Sequence, residues 1–216
     1  MAAMKSEIED ALKSEAFQQL LQLAIQEALN VAVLKIIEPM MKTIAELQEK
    51  ITSLESQLVR VENMANDNEQ YSRRHNVRIS GFEEERIEDC ITKVVQFCNE
   101  KLKVDLSDQN IDRAHRVGKP KENRSRAIIV RFKSHKDKIA VLRQRKELKS
   151  TRFYVNEDLT SRNQQLLYCA RKDCKNAASA WSRDGKIFVK RASDEKIFKI
   201  VSMSDFLQNG LLNFAY

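Results

Sequence analysis

The side chains able to carry out catalysis or hold a metal are few in this sequence, and their spacing suits neither task. Its 216 residues include 3 histidines and 4 cysteines. The cysteines are spaced C-x7-C and C-x4-C, unlike the C-x2-C pairs of zinc sites, and no histidine pair accompanies them. We expect reduced, buried thiols, no metal and no cofactor. The four cysteines are Cys90, Cys98, Cys169 and Cys174.

Enzymatic motifs are also missing. The two Gly-Lys pairs, at residues 118–119 and 185–186, lack the preceding Gly-x4 and the following Ser or Thr of a phosphate-binding loop. His115 lies near Asp112, but one histidine without a set of metal-binding carboxylates makes a poor nuclease site. A structural or phosphate-contacting histidine is the better interpretation. We therefore predict that the chain is not an enzyme.

Positive charge is concentrated in the middle of the chain. The formal net charge of +7 divides into −4 for residues 1–75 (8 Lys and Arg, 12 Asp and Glu) and +11 for residues 76–216 (30 and 19). Residues 113–152 alone hold 15 basic and 3 acidic side chains. Such a block attracts polyanions. Nucleic acid is favoured over membrane, because no amphipathic helix with Trp or Phe on its apolar face accompanies the block.

The first third of the chain has the composition and periodicity of an assembly helix. With 4 Gly and 2 Pro, the whole sequence is suited to long helices. In residues 37–65 the apolar side chains step by three and four, as in a coiled coil. A seam that narrow cannot be buried within one helix, so we predict self-association as a dimer or a trimer. The predicted seam consists of Ile37, Met40, Ile44, Leu47, Ile51, Leu54, Leu58 and Val61.

We assign residues 1–36 to a separate helical segment and residues 37–75 to the coiled coil. Pro39 interrupts the register between them, either as a first-turn residue of a new helix or as a kink. The most apolar stretch, residues 17–37, contains seven polar residues. We therefore expect no membrane-spanning run and no membrane partner.

After Arg74 the apolar period changes from 3.5 to 2 and then alternates between strand and helix periods. The order of predicted elements over residues 76–158 is β-α-β-β-α-β, the ferredoxin-like motif. The fold class is therefore α+β: a coiled-coil helix, this ferredoxin-like domain, and a small α+β domain over residues 159–216. The elements of the middle domain are expected at 76–81, 86–103, 111–117, 127–132, from 134 onward, and at 152–156.

Period 2 assigns the two sides of the predicted sheet. Its apolar set must face the helices, so Arg78 and Arg131 stand on the open face, and Tyr154 joins them by alternation with its neighbours. The register of residues 111–117 stays open, because Arg113, His115 and Arg116 cannot all point one way. Residues 83–85, all Glu, are expected to form a solvated loop.

The middle domain resembles an RNA-recognition motif in its order of elements. It departs from that motif where the first and third strands usually carry rings: Ala127 and Ile129 replace two of them, and Arg78 another. The departure itself is similar to the nucleic-acid-binding proteins of the first reading frame of LINE-type retrotransposons. The similarity lies in three strings: SRRHNVRISG (72–81), DRAHRVG (112–118) and IIVRF (128–132).

That resemblance implies a coiled-coil trimer that coats the RNA of its element and acts as a nucleic-acid chaperone. It also implies that Arg131, the arginine of the third string, contacts nucleic acid. The trimer signature of those proteins ends in Glu, and the one segment where it could be tried, residues 60–65, ends in Ala65. The number of strands in the coil therefore stays open.

The last part of the chain is predicted to form a small third unit. Residues 160–180 have a helical pattern, and Asp184-Gly185 is a hairpin turn signal between short strands. A third strand over 196–201 and a helix capped by Ser204 complete it. The segment resembles the C-terminal domain of the baculovirus FP (few-polyhedra) proteins. A core position is favoured for Trp181 over a base-stacking one.

Two functions from different classes follow from these features. The favoured one is a multimeric, largely sequence-independent protein that binds single-stranded nucleic acid, above all RNA, inside the cell in a cytoplasmic ribonucleoprotein, with a nuclear pool left open. The alternative is a coiled-coil scaffold whose two folded domains bind proteins. The expected nucleic-acid contacts are Arg73, Arg74, Arg78, Arg113, Arg116, Lys119, Lys121, Arg124, Arg126, Arg131, Tyr154, Lys186, Lys190 and Arg191.

Overall fold

The computed structural model describes residues 12–120 and 125–212. The chain divides into two compact units, Met1–Val61 and Glu62–Tyr216. A long helix near the N-terminus is followed by a β-rich region with short helices. The predicted α+β class is therefore confirmed.

Helix α1 runs without interruption from Glu15 to Ser72 and contains Pro39. Proline lacks the N–H for one intrahelical hydrogen bond, yet the helix continues through it, so no new helix begins at this position. The hydroxyl of Thr43 donates to the Pro39 carbonyl one turn earlier, at 2.9 Å. All eight residues of the predicted seam are solvent-exposed within the chain, at 44–61%.

Helix α1 is also long and apolar enough to cross a membrane by length and composition. One 18-residue window of it has a mean hydropathy of 1.6. This differs from the expectation drawn from its seven polar residues. The difference arises because the aliphatic side chains between them dominate the average. The expectation of no membrane partner stays a prediction.

The middle domain has the predicted β-α-β-β-α-β order, in an antiparallel sheet with strand order β2-β3-β1-β4. Arg131 lies directly opposite Asn76, and Arg78 lies opposite Ile129. The two arginines are therefore diagonal neighbours on adjacent strands. The elements are β1 (Asn76–Ser80), α2 (Cys90–Lys101), β2 (Ile111–Val117), β3 (Ala127–Phe132), α3 (His135–Gln144) and β4 (Tyr154–Glu157).

One side of this sheet carries the hydrophobic core, as the alternation predicted. Apolar side chains from β1, β3 and β4 pack against α2 and α3 and are nearly inaccessible to solvent. At about 25 cal/mol per Å² of apolar surface removed from water, this burial is the main force holding helices to sheet. The sheet side of the core consists of Val77, Ile79, Ile111, Ile128, Val130, Phe132 and Val155.

The structure determines the register of β2, which the sequence left open, and places the start of α2 later than expected. A bulge between Ile111 and Arg113 sets the register of β2, so Arg113 lies opposite Arg131. Helix α2 begins at Cys90 rather than at residue 86, because the Asp89 carboxylate caps it by accepting hydrogen bonds from two of its first N–H groups. Ile87, expected on the apolar stripe of that helix, is 93% exposed instead.

The C-terminal domain has a three-stranded sheet of order β5-β6-β7 with helices on one side. The predicted hairpin around Asp184-Gly185 is present. The helix expected over 160–180 is wrong beyond Lys172, because residues 177–183 pair with β6 instead. The last helix is capped by Ser202 rather than Ser204. The elements are α4 (Ser161–Lys172), β5 (Ala177–Arg183), β6 (Lys186–Arg191), β7 (Ile197–Ile200) and α5 (Met203–Gln208).

The last turns of α1 are joined to the C-terminal domain by side-chain amides. Asn66 Nδ2 donates to Asn163 Oδ1 at 3.1 Å, and Asn163 Nδ2 donates to the Gly185 carbonyl at 2.9 Å. Gln70 also contacts this network, and a Cβ at Gly185 would run into its side chain. These amides lie on the side of α1 opposite the apolar seam in the heptad, so the seam stays uncovered.

The exposed seam yields a direct test of self-association. Replacing Ile51 and Leu54 with Asp is expected to give monomers in sedimentation velocity, because carboxylates buried without partners cost several kcal/mol each. The matched control places the same two charges outside the seam, as Thr52→Asp with Ser56→Asp, and should keep the oligomer. An oligomer that survives the first pair of substitutions would contradict the coiled-coil seam.

Candidate functional site

The open face of the four-stranded sheet is basic. Directly paired residues place Arg113 beside Arg131 and His115 beside Ile129 on this face, with Arg78 on the far side of Ile129. The apolar side chain of Ile129 is only 9% exposed between these neighbours. At the edge strand, Tyr154 lies opposite Ser80 with 64% of its surface exposed. The face thus offers guanidinium groups and one free ring.

Asp158, directly after β4, holds two of the predicted contacts. The Asp158 side chain is only 1% exposed, and its carboxylate accepts hydrogen bonds from Arg73 at 3.2 Å and from Arg78 at 3.1 Å. Asn76 Nδ2 donates to the same carboxylate at 3.1 Å. A buried carboxylate needs such partners, so Arg73 and Arg78 stabilise the fold by pairing with Asp158. About a third of each arginine side chain still stays exposed.

Arg131 is much less constrained. Its nearest carboxylate is Asp112, 3.6 Å from Nε, and both side chains are 43% exposed. Asp112 is shared with Arg113, whose Nε lies 3.2 Å away. One half-exposed carboxylate cannot neutralise two arginines, so the two arginines keep a net positive charge. Their ion pairs with Asp112 are exposed to water and contribute little to stability.

A recess of about 380 Å³ adjoins Arg131, between the end of α1 and β3. The Arg74 guanidinium lies 4.0 Å above the centre of the Tyr71 ring, and that ring is 67% exposed. Lys133 and Asp112 also line this recess. Within the described part of the chain, neither Arg74 nor Lys133 makes an ion pair. The recess therefore combines an exposed cation–π stack with free positive charge, the pair of features that binds bases and phosphates.

Arg116 turns to the other side of the sheet and is unsuited to contact a ligand. Its side chain is 5% exposed and forms a two-pronged ion pair with Glu88 at 2.6 and 2.8 Å. The hydrogen bonds from Arg116, opposed by burial and aided by Lys93, lower the pKa of Glu88 to about 2. Arg126 is likewise paired with Glu84. The loop of residues 83–85, expected to be merely solvated, therefore holds both arginines, Arg126 through the Glu84 carboxylate and Arg116 through the Glu83 carbonyl.

The remaining predicted contacts are distributed over two regions. Lys119 and Lys186 are exposed, whereas Lys121 and Arg124 lie outside the described residues. Lys190 pairs with Glu195 at 2.7 Å. Arg191 pairs with Asp194 at 2.6 Å and also donates to the Asn209 carbonyl, which makes it a structural residue of the C-terminal domain.

Two members of this surface, Tyr71 and Lys133, are not among the contacts predicted from the sequence. Tyr71 lies in the last turn of α1 and Arg74 lies just beyond its end, so a ring and a guanidinium group three residues apart were a signal that could have indicated the cation–π contact. Lys133 directly follows β3 and is one of the 15 basic residues within 113–152, so its charge alone did not distinguish it from the others. In the described ranges, no group of three or more His, Cys, Asp or Glu side chains could hold a metal ion.

Comparison with known families confirms the C-terminal resemblance. Residues 160–208 match baculovirus FP protein domain 2. The match begins at the residue that caps α4 and ends with α5, so it covers the folded elements of the C-terminal domain. Among curated proteins the chain has no match.

The Glu88–Arg116 pair makes stability depend on pH in a specific direction. In the unfolded chain Glu88 titrates near the usual pKa of about 4.3. Because folding lowers this pKa, the contribution of the pair is complete above that value and is lost as the pH falls towards 2. Wild type should exceed Glu88→Gln by about 2–3 kcal/mol in free energy of unfolding at pH 7, and the gap should shrink steadily towards pH 3.

Glu85→Gln is the matched control for urea denaturation across this pH range. Glu85 also contacts Lys93 but its side chain is 63% exposed, so its removal should cost little at any pH. A gap between wild type and Glu88→Gln that stays constant from pH 7 to pH 3 would contradict the ionised, buried pair.

Proposed function

We propose that the chain is a multimeric protein that binds single-stranded nucleic acid, above all RNA, with little sequence preference, and that it coats or chaperones that RNA. The observation that carries this proposal is the recess that the exposed Tyr71–Arg74 stack lines together with Arg131 and Lys133. Such a site fits phosphates and flat rings in one ligand. A single-stranded nucleic acid presents bases and phosphates in regular alternation along its length.

The position of the recess supports binding to an extended strand rather than to one nucleotide. It continues into the open sheet face through Arg131, and Tyr154 lies on that face at the far edge strand. Rings and guanidinium planes spaced across a sheet can accept successive bases. Because any base presents a flat face and any nucleotide a phosphate, the arrangement favours strand binding without a sequence code.

The resemblance of the three strings to first-reading-frame proteins of LINE-type retrotransposons supports the same function and a role in a ribonucleoprotein. In that role the seam of α1 brings several sheets to one RNA. Multiple linked sites raise the effective concentration of each site on the strand. The proposal therefore includes self-association, an intracellular location and no enzymatic activity.

Binding is expected to weaken steeply with salt. If about six phosphates are neutralised, the logarithm of the association constant should fall against the logarithm of salt concentration with a slope near −4, from about −0.7 per contact on single strands. Fluorescence anisotropy of a labelled oligouridine over a range of salt concentrations measures this slope. No binding, or a slope near zero, would contradict the proposal and favour the protein-binding scaffold.

Arg131→Ala tests the open face itself. It should reduce affinity for the oligonucleotide about five- to 150-fold, from about 1–3 kcal/mol per stacked contact, without changing thermal stability, because the side chain is 43% exposed. Arg131→Lys should recover part of the loss, since lysine keeps the charge but lacks the planar fork.

The matched control is Arg86→Ala, which removes the same charge from the exposed loop between β1 and α2. It should change affinity little. Equal losses for Arg86→Ala and Arg131→Ala would mean that net charge alone binds the strand. An unchanged affinity of Arg131→Ala would exclude the open face as the binding surface.

A further inference from the structure

His75 lies between α1 and β1 and lines the recess next to Arg74 and Arg131. Its backbone and its side chain are both tied to the end of β3. The Phe132 N–H donates to the His75 carbonyl at 3.0 Å, and His75 Nδ1 lies 3.1 Å from the Phe132 carbonyl oxygen. One edge of the imidazole is therefore fixed to the sheet at the wall of the recess.

The bond to Phe132 determines which nitrogen of His75 can gain a proton. A carbonyl oxygen only accepts hydrogen bonds, so Nδ1 must carry a hydrogen. In the neutral ring Nε2 is then an acceptor, and no described residue forms a hydrogen bond with it. A second proton must add at Nε2, where it creates a charged donor and leaves the bond to Phe132 intact.

Positive charge outweighs negative charge in the recess around His75. Among the described residues, three cations line it against one carboxylate. That carboxylate, Asp112, is half exposed and already lies between Arg113 and Arg131. In the free protein these cations oppose a further charge on His75, whereas a bound phosphate favours it. The charged groups of the recess are Arg74, Asp112, Arg131 and Lys133.

A second histidine faces the His75 ring from α3. The ring centre of His135, the first residue of that helix, lies 6.1 Å from the ring centre of His75. His135 Nε2 lies 3.4 Å from Asp184 Oδ1 in the C-terminal hairpin turn, and both side chains are about half exposed. A charge on His135 therefore has a carboxylate of its own. His75 forms no ion pair with a described residue, so its charge is left for a ligand.

We propose that the recess binds an anionic strand together with a proton, which His75 takes up from solvent at Nε2 and donates in a charged hydrogen bond to a phosphate oxygen. The inference rests on the proposed function and adds that binding strengthens as the pH falls through the range in which histidine titrates. The coupling is reciprocal, because a phosphate beside the ring favours its charged form and the charged form favours the phosphate.

The composition of the chain makes this linkage measurable. Only three histidines are present, and burial raises the pKa of each of the four cysteines. Oligouridine has no group that titrates between pH 8 and pH 6. Over this range, at fixed salt, the affinity of the full-length protein for an oligouridine carrying a pH-insensitive dye should rise about three- to tenfold in fluorescence anisotropy. Calorimetry in two buffers of different ionisation enthalpy should show proton uptake on binding.

His75→Gln should lose both the pH dependence and the proton uptake, because its amide stays neutral but can still donate to the Phe132 carbonyl. Two matched controls remove the other histidines and should keep both effects. His115→Gln changes the open sheet face beside Ile129, and His135→Gln removes the ring that has its own carboxylate.

The outcomes separate this linkage from the proposed function. An affinity that is equal at pH 8 and pH 6, or a pH dependence that persists in His75→Gln, would overturn the linkage and leave the proposed function standing. A pH dependence lost in His115→Gln instead would also overturn the assignment to His75. Failure of the oligonucleotide to bind at any pH would overturn both proposals.

Circular dichroism must show that His75→Gln is folded. If it is not, NMR titration of the histidine ring C–H signals in the wild-type protein replaces it, with the signals assigned from the two control variants. The His75 signal should then keep its charged form to higher pH when oligouridine is bound. An unchanged titration of His75 on binding would overturn the linkage.

Discussion

The carboxylate of Asp158 is the interaction on which the rest of the residue 62–216 unit depends. It is nearly inaccessible to solvent, and its hydrogen-bond donors come from Arg73, directly after α1, and from β1. A carboxylate buried in such a place is costly unless its oxygens keep hydrogen-bond partners of this kind. Since Asp158 also begins the connection to α4, one buried carboxylate ties the segment that follows α1, the first strand of the four-stranded sheet and the start of the C-terminal domain to each other.

This constraint divides the arginines of the basic surface into two groups. Arg73, Arg78 and Arg116 neutralise buried carboxylates, and their guanidinium groups are committed to the fold. Arg74 and Arg131 lie next to them with weak partners or none among the described residues. In the proposed function the first group orients the surface and the second meets the ligand. An arginine of this surface therefore stabilises the fold where a buried carboxylate lies beside it, and is available to a ligand where none does.

Much of the fold follows from periodicity in the sequence. Alternation in β1 and β3 predicted which side chains reach the core, because one face of that sheet must be dry. Periodicity failed at residues 173–180, where an alanine-rich segment suits a helix locally but finds its hydrogen bonds by pairing with β6. The start of α2 was misplaced for a similar reason, since the Asp89 cap outweighs the apolar Ile87 before it.

The candidate site was harder to predict than the fold. A count of charges locates the basic block but cannot tell a buried arginine from a free one, because the deciding carboxylates, Glu88 and Asp158, are distant in sequence from their partners. The bulge in β2 also could not be predicted from the charges, because a one-residue shift in register decides whether Arg113 or Arg116 lies on the open face. Trp181, for which the sequence favours a core position, instead stacks on Phe188 outside the core of the C-terminal domain, and this placement depends on the strand pairing of the hairpin.

Photo-crosslinking of the full-length protein to a 4-thiouridine oligonucleotide, with the adducts mapped by mass spectrometry, tests the central claim most directly. We expect adducts within residues 71–78 and 127–133, the segments that carry the exposed ring and the free cations of the recess and the open sheet face. We expect none on α2, which packs against the core side of the first sheet. Adducts confined to α2 and the acidic loop before it, or no adducts at all, would contradict the proposed binding surface.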